Sequence, residues 1–504
     1  MANQGSTIFE NQAAPQNGVP QSSPPQEAPR VIDTVTPVQP VSASGPPPNS
    51  QPPQPPSAVS PSLESDEGSS FPLGAIIKVV IGIVAFLVLL FIIIRVVLPI
   101  FFQPKNEKVT LTYWGLWEDA AVLEPILSDF HKQNPNITVK YEKQDIKQYR
   151  ERLMTRIANG DGPDIFRFHN TWLVQMSDIL LPLPTDVITK EDFQKLYYPV
   201  VQKDLTRSGA IYGIPLHIDT LGLFTNNEIF QAAGQSPPET WDDFIRVSRG
   251  LTVKDPTDGK IKTAGAAIGA FNNVNHAPDI VSLLFLQNGA DVYNLAATPK
   301  SAAGTLQFYT VFTTDSNNVW DTTLDPSLLA FAKGNVAMYF GYSWDIFAIK
   351  ALNPQLSFSV SPVPHIAGSK PLTIASYWVE GVSQKSKHQK ETLLFMKFLT
   401  KKEVQQKLYS EESKTRLFGE LYSRSDLGDL LKDNKLVYPF ITQAKEASSA
   451  FFVSDTYDNG LNTKANKYLE DGIQSMITDQ TSPQSALDTI VAGVDQLLSQ
   501  YAKQ

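Results

Sequence analysis

The chain has 504 residues, with 42 Lys or Arg against 51 Asp or Glu and a formal net charge of −9. That length provides for several domains, and the acidic balance argues against a nucleic-acid backbone as the main partner. Cysteine is absent, which excludes disulfides, thiolate metal sites, a cysteine nucleophile and a lipidated cysteine.

Residues 1–70 are rich in Pro, Gln, Ser and Asn and poor in apolar side chains. Such a segment buries too little surface to offset its ordering entropy and is expected to be a disordered tail. Its proline runs favour extended polyproline conformations. They read as a spacer, with a ligand for a proline-recognising domain as the alternative. Residues 79–94 carry no charge, and the apolar stretch around them occupies 73–102. A bilayer core takes about 20 helical residues. Lys78 and Arg95 lie near the ends of the run, where they can snorkel toward headgroups. We expect a single transmembrane anchor helix, not a buried core helix or a cleaved signal peptide. The run is long, starts far from Met1, and is followed by no small-x-small site. Counting Lys78 before the span against Arg95, Lys105 and Lys108 after it would, by charge alone, put the C-terminal part inside.

The rest reads as α/β. Residues 109–114 alternate apolar and polar, 120–133 form an amphipathic helix, and a strand at 137–142 follows the Asn134-Pro135-Asn136 turn. This β-α-β start predicts a mostly parallel sheet. A helix over 149–159 stops at Gly160, and a third strand covers 164–168. In open α/β sheets ligands sit beyond the carboxyl ends of the strands. One such end offers Trp114, Trp117 and Glu118, the other His169, Asn170 and Trp172. Indoles with an apolar face and a polar edge, together with directed amide and carboxylate acceptors, suit a sugar. Interior packing is the alternative for each Trp, and an ordinary polar loop residue for His169.

Residues 208–244 carry the densest run of local signals. Ser208-Gly209 marks a turn, and residues 218–224 are apolar except for Asp219-Thr220, a carboxylate and a hydroxyl offered from a buried strand. Asn at 226–227 opens a short helix that Gly234 ends. Thr240 caps the next helix, with Trp241 as its packing anchor. Residues 264–271 read as a strand, and the polar cluster Asn272, Asn273, Asn275 and His276 follows at its end, within reach of a ligand. Helices are expected at 280–288, 305–313, 386–399, 468–477 and 485–502, and a strand at 358–364. There is no phosphate-binding Gly-rich lysine loop, no nucleophile elbow and no paired-histidine zinc motif. Residues 455–460 lack the alternating acidic spacing of a calcium loop and read as an ordinary turn. No metal and no cofactor are expected.

The stretch 208–244 resembles a segment of the family 1 extracellular solute-binding proteins, the maltose- and multiple-sugar-binding receptors of ABC transporters. The matching residues are Tyr212-Gly213, Pro215, Asn226, Ile229-Phe230, Ala233-Gly234, Pro237-Pro238 and Thr240-Trp241 with Asp242-Asp243-Phe244. The order of elements before it, with Asn134-Pro135 and Gly162-Pro163-Asp164, is similar as well, and so is Phe331 to Gly341. The likeness runs from about residue 108 to the C-terminus. It implies an α/β, periplasmic-binding-protein-like type II fold with two lobes joined by hinge crossings. The lobes would comprise residues 106–218 with 377–440, and 219–376 with 441–504. It implies crossings at Asp219-Thr220, at residues 373–382 and at 438–453. Tyr342 and Trp344 then stand where relatives carry a ligand-stacking tryptophan, and Trp378 and Glu380 line the cleft. The implied function is capture of a sugar or oligosaccharide by hinge closure and delivery to an ABC transporter permease, with nothing covalent done to the ligand. The binding domain would be extracytoplasmic, since a long domain translocates largely regardless of flanking charge. Relatives anchored by a lipidated cysteine differ from this chain, which would use its apolar helix. The alternatives are a membrane-tethered sensor subunit, favoured by the Pro-rich tail, and a carbohydrate-active enzyme, favoured by carboxylates near tryptophans.

Overall fold

The computed structural model describes residues 73–97 and 107–501. The Pro-rich tail of residues 1–70, the end of the anchor segment and most of the linker after it lie outside the described residues. The chain divides into two compact units, residues 1–102 and 103–504.

In the first unit, helix α1 (Leu73–Ile92) is continued by a π-helical turn, Ile93–Val97. Its 19-residue window Ile77–Arg95 has a mean hydropathy of 3.2, with none of it buried in the structure. Among the described residues it alone is long and apolar enough to cross a membrane.

The second unit begins with strand β1 (Val109–Gly115), helix α2 (Ala120–Gln133), strand β2 (Ile137–Lys143), helix α3 (Tyr149–Asn159) and strand β3 (Ile165–His169). All three strands run parallel, with β1 in the middle. On β1 the alternation works as expected: Leu111 and Tyr113 enter the core against α2, whose inward face carries Leu123, Ile126 and Phe130. Gly160, at φ 81°, ends α3. The chain then makes β4 (Ile214–Pro215), β5 (Asp219–Thr220) and β6 (Gly222–Asn226). The Asn226 side chain caps the next helix by accepting from the amides of Glu228 and Ile229 at 3.0 and 3.3 Å, and Gly234 at φ 60° closes it. Thr240 caps the helix Trp241–Leu251, and Trp241 is buried, donating to Gln287 at 2.7 Å.

Residues 264–271 are not a strand. Only Ala264 forms a bridge, to Val336. Gly265 lies against the Ser248 carbonyl with no room for a Cβ, and Gly269 has φ 99°. Two glycines placed for close approach and a left-handed turn break the ladder.

Strands β7 (Met338–Gly341) and β8 (Phe358–Pro362) flank β6 antiparallel, making a second sheet in the order β7-β6-β8. Strands β9 (Thr373–Ser376) and β10 (Trp378–Val382) follow, separated by Tyr377. β10 returns to the first sheet, whose order is β2-β1-β3-β10-β4, antiparallel to both β3 and β4. β9 pairs with β5 and with β11 (Ala447–Ser448), so the chain passes three times through one small sheet, β11-β9-β5. The closing helices Leu461–Thr478 and Pro483–Leu498 pack on each other and on the helix Pro299–Thr314. Gly493 lets the Tyr468 ring occupy the place where a Cβ would stand.

Candidate functional site

A cavity of about 410 Å³ gathers residues from several distant segments of the chain. Its walls are formed by side chains of the first sheet, of β5 and β9, and of the segment that follows β7.

The first sheet contributes a buried ionic floor. On β3 and β10, Arg167 faces Glu380 and His169 faces Trp378 across the antiparallel ladder. The Arg167 guanidinium donates to Glu380 at 2.8 Å and to Glu118 at 2.5 Å, and Tyr113 Oη donates to Glu380 at 2.8 Å. These charged side chains are 1–2% exposed. Burial alone raises the Glu118 carboxyl, but the Arg167 charge and then His217 outweigh it and hold it below its ordinary range. Burial works against the Arg167 charge, yet Glu118 and Glu380 drive it above its ordinary value. The Arg167 guanidinium is thus paired on two sides by buried carboxyl groups.

Beside it stands His217, with Nε2 3.2 Å from Glu412 and Nδ1 3.7 Å from Glu420 and 4.0 Å from Glu118. Burial lowers its pKa, but Glu412 and Glu420 overcome that and raise it to about 9. Glu118, His217 and Glu412 each bring one ligand-type atom within 4.8 Å of the others. However, the two ring nitrogens face different carboxylates, which suits an imidazolium ion-paired on both sides better than a metal ligand.

The opposite wall comes from the segment after β7. Asp219 accepts from the amide and hydroxyl of Ser343 at 2.8 and 2.5 Å and from the Thr220 amide at 2.8 Å. Burial, opposed by these hydrogen bonds, pushes its carboxyl up to about 8. His276 bonds Asp345 at 2.8 Å, and Tyr339 Oη donates to the same oxygen at 2.9 Å. Burial lowers the His276 pKa, but Asp345 raises it to about 9. Trp344 is stacked on Tyr342, with centroids 4.3 Å apart and planes at 15°. The facing aromatic surface is Trp378 and Trp117, edge to face at 5.7 Å, with Tyr457 6.5 Å from Trp117.

Of the residues read from the sequence, Trp117, Asp219, Asn275, His276, Trp344 and Trp378 line this cavity. Glu118 and Glu380 stand behind it, holding Arg167, which does line it. Tyr342 is fully buried beneath Trp344, and its hydroxyl donates to Asp279 at 2.6 Å. His169 is fully buried between Thr171 and Ser376 at 2.8 and 3.1 Å, and burial depresses its pKa to about 3, so the ring is neutral. Asn170 donates to Asp204 and Ser449 at 2.9 and 3.0 Å, and the Thr220 hydroxyl donates to the Phe440 carbonyl at 2.7 Å. Both are tied up inside the crossing region. Trp114 lies on the other face of β1 from Tyr113 and donates to Glu142 on β2 at 3.0 Å, away from the cavity. Asn272 lines a separate, smaller hollow of about 330 Å³. Trp172 is fully buried.

Sequence reasoning missed Arg167, His217, Phe347, Tyr377, Arg416, Glu420, Asp455 and Tyr457, all on the cavity wall. Arg167 had a usable signal, a lone charge inside the strand IFRFH, whose residues are all buried. The others come from segments that only the fold brings together.

Residues 114–406 match the family described as bacterial extracellular solute-binding protein. The multiple sugar-binding protein of Streptococcus mutans is 25% identical over 399 residues, 74% of this chain and 91% of that protein. The melibiose/raffinose/stachyose-binding protein MelE of Bacillus subtilis is 26% identical over 159 residues, 31% of this chain and 36% of its own length. Among solved structures, the sugar-binding protein MalE of Xanthomonas citri superposes with a TM-score of 0.64 at 20% identity, covering 78% of this chain and 98% of that one. A cyclo/maltodextrin-binding protein complexed with maltotetraose gives 0.62 at 20% identity, covering 77% and 96%. These neighbours share the fold, a periplasmic-binding-protein-like architecture of mixed α and β content. With more than half its length matched, the chain belongs to the family of bacterial extracellular solute-binding proteins.

Proposed function

We propose that the chain is a membrane-anchored, extracytoplasmic receptor that captures a sugar or oligosaccharide between two α/β lobes and delivers it to an ABC transporter permease. The lobes are residues 106–218 with 377–440 and residues 219–376 with 441–504. This reading is supported by the separate first and second sheets and by the three passages through β5, β9 and β11. Hinge closure follows from that layout: a ligand touching both walls favours the closed arrangement and shifts the population toward it. The anchor is α1, which has the length and hydropathy of a span.

The observation that carries the reading is the pair of aromatic walls. Trp344, braced by Tyr342, faces the same cavity as Trp117 and Trp378. Flat apolar rings on two sides with carboxylates and hydroxyls between them match the C–H faces and hydroxyl rim of a pyranose. The volume of about 410 Å³ falls in the usual range for small-molecule sites, about 300–1,000 Å³. The test is a thermal-shift screen of the full-length chain in detergent against mono- and oligosaccharides. At least one sugar should raise the melting temperature. Trp344→Ala should weaken that sugar at least about tenfold, roughly 1.4 kcal/mol. Stabilisation by peptides, but by no sugar, would end the carbohydrate reading.

A further inference from the structure

We propose that the captured solute carries a protonated amino group, as an amino sugar does, and that Asp455 with the rings of Tyr457 and Trp117 receives it. The inference rests on the carbohydrate reading and adds the charge class of the ligand.

The first support is charge. The cavity wall holds the carboxylates Asp219, Asp345, Glu420 and Asp455. Glu118, Glu380 and Glu412 stand directly behind, in contact with the wall's own cations. Against these seven stand Arg167, Arg416, His217 and His276. Even with both imidazoles charged the site is negative by three, and with Asp219 protonated it is negative by two. One carboxylate oxygen each on Glu118 and Glu380 lacks any hydrogen-bond partner, although these side chains are at most 2% exposed. A neutral ligand leaves that imbalance in a half-desolvated cavity, whereas a cation relieves it.

The second support is where the negative charge is accessible. Most of the acids are buried in internal pairs, but the Asp455 side chain is 45% exposed. Its nearest cation, His276 Nδ1, is 3.6 Å away and already bonded to Ser454 at 2.8 Å. Tyr457 and Trp117 are 46% and 39% exposed and lie close together at the cavity. An exposed carboxylate next to exposed aromatic faces is the surrounding that attracts an ammonium group.

The third support is the loop itself, which the sequence offered only as an ordinary turn. Asp455, Tyr457 and Asn459 all have left-handed backbones, at φ 55°, 52° and 46°. Non-glycine residues in that region carry strain that persists where surrounding structure enforces it. The enforcing contacts are present. Asp458 is fully buried and accepts from Asn462 and Thr463 amides at 2.9 and 3.0 Å, while its carbonyl accepts from Arg150 at 2.8 Å. Asp458 thus pins the loop while Asp455 and Tyr457, three residues and one residue before it, line the cavity.

The experiment is isothermal titration of the full-length chain in detergent with three matched probes: deacetylated chitobiose, N,N′-diacetylchitobiose and cellobiose. They differ in charge at the substituent on carbon 2. The expected result is at least a tenfold preference for the deacetylated sugar, weakened by added salt and removed by Asp455→Asn. Equal or tighter binding of cellobiose or the acetylated sugar overturns the inference and leaves the carbohydrate reading in place. So does a preference that survives D455N. If none of a broad panel of sugars binds, charged or neutral, the carbohydrate reading fails and takes this inference with it.

Discussion

Replacing Arg167 with Met tests the ionic floor. Methionine keeps most of the volume and removes the charge. Glu118 and Glu380, 2% and 1% exposed, then lose their shared partner, and Tyr113 alone still donates to Glu380. Breaking a buried pair by removing one member costs about 3–5 kcal/mol, because an uncompensated charge is left behind. Unfolding entropy of about 2.1 cal/mol/K per residue, over roughly 395 residues, comes to about 0.8 kcal/mol/K. The melting temperature should therefore fall by about 4–6 °C at neutral pH. The pH dependence distinguishes charge from packing. Without the guanidinium, burial is less opposed and the Glu118 carboxyl rises in the folded state above its unfolded value. The variant's folded state then holds protons that its unfolded state gives up, so its deficit grows as pH rises through neutrality and shrinks as pH falls toward 5. Differential scanning calorimetry of both proteins between pH 5 and 8 measures this. A deficit below about 1 kcal/mol, or one that does not change with pH, would show that the floor is not held by the charges described.

Three further outcomes are expected. His276, raised to about 9 chiefly by Asp345 against burial, contributes stability that is full below about pH 6.5 and lost as pH rises through 9. At 2.5 pH units this amounts to about 3 kcal/mol, so urea midpoints should fall from pH 6.5 to 9, and His276→Gln should flatten that slope. Gly269→Ala should cost about 2 kcal/mol, since φ is 99° and the new Cβ would meet Thr313 Oγ1 at 2.7 Å. Gly160→Ala, at φ 81° with nothing within 4 Å, should cost only the backbone term, about 1 kcal/mol, and an equal loss at both positions would contradict the packing argument.

What was legible in the sequence depended on range. The β-α-β start could be read because each element declares itself within a few residues: alternation on β1, a helical apolar stripe on α2, and Gly160 as a stop. Helix caps at Asn226 and Thr240 are similarly local. The strand expected at 264–271 failed for a reason that is not local. Gly265 is shaped by the Ser248 carbonyl and Gly269 by the helix Pro299–Thr314, neither visible from the apolar run itself. The site shows the same division. Strand ends drew attention to Trp117, which lines the cavity, and Glu118, which stands behind it, but the phase of β1 decides that Trp114 faces Glu142 instead. The lone Arg inside an apolar strand was an available clue, because a buried guanidinium requires carboxylates, and Glu118 and Glu380 are the answer, 49 and 213 residues away. Asp455 and Tyr457 gave no such clue. Their role depends on Asp458 being anchored to Arg150 and Gln175, about 300 residues upstream, and on the strained backbone that this anchoring enforces. A cavity assembled from segments far apart in sequence gathers its residues from all of them. Local pattern can therefore find the scaffold's strand ends, while the charge balance of the cavity, which selects among ligands, emerges only once the fold has closed.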